Sequence, residues 1–123
     1  MKYIFLLSLI LLLSCRNEKE LPSEWPFVET LPVERSGDNF MFHGNIINRP
    51  DDPITESGFI WSIYSNPSLV DSNKILSHVI VQKGEITAEK TLNLIPGTHY
   101  YCKAYLLSDQ LIILGNQVSF KKE

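Results

Sequence analysis

Cysteine is scarce in this chain: two in 123 residues, Cys15 and Cys102. That excludes a disulfide framework. Basic charge is scarce too, with 11 Lys and Arg against 14 Asp and Glu and a net charge of -3. No basic patch interleaved with aromatics occurs, so nucleic acid is not an expected partner. Apolar runs end early; after Leu13 none approaches the length of a bilayer-spanning helix. Motifs for chemistry are missing as well. There is no phosphate-cradling glycine loop and no nucleophile elbow. With 123 residues the chain has room for one domain.

The scattered reactive residues do not assemble into a catalytic set. His99 and Cys102 stand three apart on an extended stretch, which puts them on opposite faces, so they cannot form a nucleophile–base pair. Asp51, Asp52 and Glu56 could offer oxygens to a hard cation. However, Pro53 interrupts the run and no glycine-punctuated calcium loop is present, so a solvated loop is the better reading. His43 and His78 lack paired spacing for zinc. A small sandwich has little room for the acid-lined cleft of a glycosidase. The expectation is a protein that is not an enzyme and holds no cofactor or metal.

What is present begins at the N-terminus. Met1-Lys2 gives a short positive start, and residues 3–13 are apolar apart from Ser8. As a helix this run would be roughly 16 Å long, about half of a bilayer core. It reads as a signal-peptide core over residues 1–14 and not as a span. Leu12-Leu13-Ser14-Cys15 resembles the lipobox of bacterial lipoproteins, in which a cysteine after a small residue is acylated and becomes the first mature residue. Leu13 is a less usual choice at its position. The resemblance implies lipidation (palmitate among the acyl chains) at Cys15 and a membrane partner through that lipid. Two or more acyl chains anchor stably, each buried methylene contributing about 0.8 kcal/mol. Residues 15–26 then read as lipidated cysteine and extended tether, with Pro22 and Pro26 in its second half. If Cys15 holds lipid, Cys102 has no partner within the chain and acts as a small hydrophobe.

From residue 27 to 123 the sequence reads as strands and turns. Residues 94–105 organise it. Pro96-Gly97 makes a turn, and a period-2 strand follows. Tyr100, Cys102 and Ala104 should face the core; Tyr101, Lys103 and Tyr105 should face out. Tyr100 is placed to return its hydroxyl to backbone near Leu94, the logic of a tyrosine corner. Further strands are expected over 28–33 (a weak edge limited by Pro32), 40–47, 58–64, 75–81, 86–94 and 111–120, with a bulge at Gly115. Phe59, Trp61 and Ile63 share a face, and Trp61 is expected in the core. Seven or so short strands at 8–12-residue intervals predict an all-β sandwich.

Residues 54–59 (Ile-Thr-Glu-Ser-Gly-Phe), 94–105, and 115–120 (Gly-Asn-Gln-Val-Ser-Phe) together resemble fibronectin type III-like domains of bacterial outer-membrane lipoproteins. The likeness runs over roughly residues 30–121 and implies an immunoglobulin-type sandwich of about seven antiparallel strands at the cell outer membrane. Such domains serve as spacers, adhesins and ligand binders, so the fold alone names no ligand. Two surfaces are candidates. Tyr101, Lys103 and Tyr105 could form an aromatic platform for a sugar or a protein, or simply pack across strands. Leu111, Ile112, Ile113 and Leu114 are apolar on both faces where a half-exposed strand should alternate, which suggests a docking edge, or an edge covered by the segment around Trp25 and Phe27. The function expected is a lipid-anchored envelope interaction module for protein or glycan; the alternative is a structural accessory subunit docked through the last strand.

Overall fold

The structure, a computed structural model, describes residues 25–123; the signal segment 1–14 and Cys15 lie outside the described residues. Nine strands follow one another without a helix among the described residues: β1 (Phe27–Thr30), β2 (Glu34–Ser36), β3 (Asn39–Asn48), β4 (Glu56–Ser62), β5 (Asn73–Leu76), β6 (Gly84–Thr91), β7 (Tyr100–Leu107), β8 (Ile112–Leu114) and β9 (Val118–Phe120). All pairings are antiparallel.

Two sheets form a β-sandwich. In the first, β3 is central, with β6 on one side and β1 and β2 in line on the other. In the second, the order is β5-β4-β7, and β8 and β9 share the far side of β7. The nine strands therefore occupy seven lanes. Pro32 lies between β1 and β2, where a residue without an N–H ends the ladder. Gly115 lies between β8 and β9, the expected bulge.

That break is built by contacts across the sandwich. The Thr30 hydroxyl accepts a hydrogen bond from Ala104 N (2.8 Å), a donor that a continuous last strand would have used. Gly115 N still donates to Ala104 O (2.8 Å). The Asn116 amide closes the gap, accepting from Thr30 N (2.8 Å) and donating to Thr30 O (3.1 Å). A side chain at position 115 would stand 2.6 Å from Val28 O and 2.7 Å from Thr30 Oγ1, so only glycine fits.

The core follows the alternation. Phe40, Phe42 and Ile46 are buried on one face of β3, Ile86 and Ala88 on β6, and Tyr100, Cys102 and Ala104 on β7. Phe120 sits 5.7 Å from Phe40, 5.6 Å from Phe42 and 5.8 Å from Tyr100 by ring centroids, joining both sheets. Tyr100 makes the expected corner: its hydroxyl accepts from Ile95 N at 3.0 Å, one residue beyond Leu94. Burial in this core pushes the Cys102 thiol up to about 12.

Three expectations need correction. Trp61 is half-buried, stacking edge-on against Tyr100 (5.8 Å) and Phe120 (6.4 Å) at the margin of the core. Ile63 does not share its face, because β4 ends at Ser62 and Ile63 turns out to solvent. The strand expected over 75–81 stops at Leu76, because Ser77 N bonds Ser57 O while His78 N bonds Thr87 O, carrying the chain from one sheet to the other.

Candidate functional site

β4 and β7 pair over Glu56–Ser62 and Tyr101–Leu107, so residues facing each other across the ladder share a side. Phe59 and Trp61 go inward with Ala104 and Cys102. Glu56, Gly58, Ile60 and Ser62 go outward with Leu107, Tyr105, Lys103 and Tyr101. This outer face was expected to present Tyr101, Lys103 and Tyr105. It does so only in part.

Tyr105 is fully buried despite its outward position. Its neighbour across the ladder is Gly58, which leaves space beside the ring, and its hydroxyl donates to Glu56 Oε2 at 2.8 Å. Gly58 cannot be larger, since a side chain there would run into the Ile75 carbonyl. Lys74 Nζ donates to the same Glu56 oxygen at 3.1 Å. The Tyr105 hydroxyl and then Lys74 hold the Glu56 carboxyl below the usual range. Burial, and then the neighbouring carboxylate, push the Tyr105 phenol well above its ordinary value. Lys103 is half-buried and spends its ammonium on Asn66 Oδ1 at 2.9 Å. The three-residue platform thus reduces to Tyr101, half-buried, with Lys103 tied beside it.

The edge is different. β8 pairs with β7 through Leu107↔Ile112, Leu106↔Ile113 and Tyr105↔Leu114. Ile113 points into the core and is 8% exposed, so it leaves the docking set. Leu111, Ile112 and Leu114 are 45%, 67% and 37% exposed. Backbone phase sets the direction of the polar groups. Ser108 N bonds Leu111 O and Gly115 N bonds Ala104 O, so by alternation Ile113 also bonds across to β7. The N–H and C=O of Ile112 and Leu114 then point away from the sheet. The N-terminal segment flanks this edge in part: β1 runs beside β8 and Pro26 lines a cleft with Leu111, while Trp25 and Phe27 stay 73% and 41% exposed and Ile112 is left open. Every other edge lane has charge in its strands, Glu29, Glu34 and Arg35 on β1 and β2, Lys74 on β5, Glu85, Glu89 and Lys90 on β6. The β8–β9 lane has none.

The sequence reading missed one arrangement. His43 on β3 stands between Glu85 of β6 (Nδ1 to Oε1, 3.1 Å) and Glu34 of β2 (Nε2 to Oε2, 3.5 Å), in an open groove of about 590 Å³ with Leu31, Pro32 and Asn45. Only cross-strand register brings these three together; nothing in their spacing of nine and 42 residues announces it. Asp51 and Asp52 line a cleft with Pro26, Arg49, Gln110 and Leu111, while Glu56 is committed to Tyr105 and Lys74. Among the described residues no group of three or more His, Cys, Asp or Glu is arranged to hold a metal. No protein-family model matches the chain, and a search of curated proteins returns no match.

Proposed function

We propose that this protein is a non-catalytic, lipid-anchored interaction module of the bacterial outer membrane, built on a fibronectin type III-like domain, and that it binds another protein through the β8 edge. The observation that carries the reading is that edge: uncharged, flanked only in part by β1, with Ile112 two-thirds exposed and the backbone groups of Ile112 and Leu114 turned away from β7. A strand from a partner can bond to such an edge, and the exposed leucine and isoleucine give it apolar area to bury. The seven lanes, the tyrosine corner and the lipobox-like start support the family and its anchor. The burial of Tyr105 favours protein over glycan, since the sugar platform loses its second aromatic ring. The accessory-subunit reading uses the same edge and differs in permanence.

The test is co-purification from detergent-solubilised membranes with wild type and an Ile112→Lys, Leu114→Lys double variant. We expect the variant to keep its denaturation midpoint and to lose a partner. Retention of every partner and assembly state removes the docking role. A partner retained in fixed ratio through dilution by the wild type, and lost by the variant, identifies a structural subunit.

A further inference from the structure

Exposed apolar residues gather at both ends of the sandwich: Ile63, Tyr64, Val70 and Ile95 where β4 ends and β7 begins, and a second group at the opposite end, where the chain enters. Phe27 opens β1 opposite Asn48, the last residue of β3, so Trp25, Phe27 and Ile47 lie at one end of the sandwich. β6 starts at Gly84 opposite Ile46, so the loop before it, with Val79 and Ile80, lies at that end too. Gln82 fixes this loop by accepting from Ile54 N (2.8 Å) and donating to Ile54 O (3.2 Å). Pro26 and Leu111 line one cleft with Arg49, which adds the β7–β8 hairpin. Trp25 (73%), Phe27 (41%), Ile47 (48%), Val79 (67%), Ile80 (52%) and Leu111 (45%) form an apolar rim on the end where the chain enters the domain.

We infer that this rim rests in the interface of the membrane that holds the protein. The inference builds on the lipid-anchor reading. From Cys15 to Trp25 the chain advances by ten residues, which can span at most about 35 Å. The rim is therefore the part of the domain held nearest the bilayer. Tryptophan and phenylalanine favour the headgroup level, and scattered aliphatic side chains add apolar area at the acyl boundary. Charge selects the lipid. Asp51, Asp52 and Asp109 outnumber Arg49 and Lys83 at this end, so the contact suits zwitterionic headgroups and gains nothing from anionic ones.

The experiment uses the full-length, acylated protein in phosphatidylethanolamine–phosphatidylcholine vesicles, with acylation of Cys15 checked by mass spectrometry. The chain has two tryptophans, so the difference between wild type and Trp25→Phe isolates the Trp25 signal without altering Trp61. We expect bromine-labelled acyl chains to quench Trp25 and iodide to lose access to it. Because Trp25 adjoins the tether, a second readout covers the far side of the rim: amide exchange over 78–81 and 108–111 should slow on vesicles relative to detergent, equally at low and high salt. Acylated protein whose Trp25 stays open to iodide, or whose two segments exchange as in detergent, overturns the inference and leaves the anchor standing. A Cys15 without acyl chains overturns both.

Discussion

Tyr100 and Tyr105 lie on the same strand and use their hydroxyls in opposite ways. Tyr100 accepts from Ile95 N, a local bond that closes the turn before β7. Tyr100→Phe should lower stability by about 1 kcal/mol, read from the denaturation midpoint at unchanged slope. Tyr105 donates to Glu56, whose carboxyl is held below its ordinary 4.5. A depressed folded value means that this carboxylate stabilises the fold above its unfolded value, an effect lost as the pH falls through the folded one. Glu56→Gln should therefore be less stable than wild type at neutral pH, and the gap should close as the pH drops below about 4.5. Cys102, buried and with its thiol pushed up to about 12, should ignore a thiol reagent in the folded state and react only as fast as the domain opens.

Between elements, the joint of β1 with the last lane rests on side chains. Asn116→Ala removes two bonds to Thr30 and should cost about 1–3 kcal/mol. Gly115→Ala drives a methyl into Val28 O and Thr30 Oγ1 and should be as damaging or worse, by the same thermal or denaturant measurement. The break at Gly115 was legible because glycine within an apolar strand has few other uses. The clamp that fills it was not, since Thr30 and Asn116 are 86 positions apart. The same contrast divides the rest. The inward set of β7 and the tyrosine corner depend on neighbours in sequence, and both were readable. The burial of Tyr105 depends on Gly58 and Glu56 from another strand, and the early end of β5 on a bond from His78 to Thr87. Alternation gives the side of a sheet a residue occupies. It does not give the height of what stands around it.

For the whole molecule, the surfaces divide by direction. The apolar rim closes one end, and the β8 edge runs away from it along the side of the second sheet. The way the chain enters the fold has a mechanical side. A load applied between the N-terminus and the C-terminal end of β9, which lie at opposite ends of the sandwich, pulls β1 along its own length. Its four pairings with β3, from Phe27↔Asn48 to Thr30↔Gly44, are then strained together instead of opening one after another. Behind them Thr30 is bolted to Ala104 and Asn116 in the opposite sheet. Tension at the tether is thus shared by both layers before any ladder parts. In single-molecule pulling between the two termini, Thr30→Val should yield at lower force than wild type, and Arg35→Ala, on the solvent side of the short β2 strand, should not.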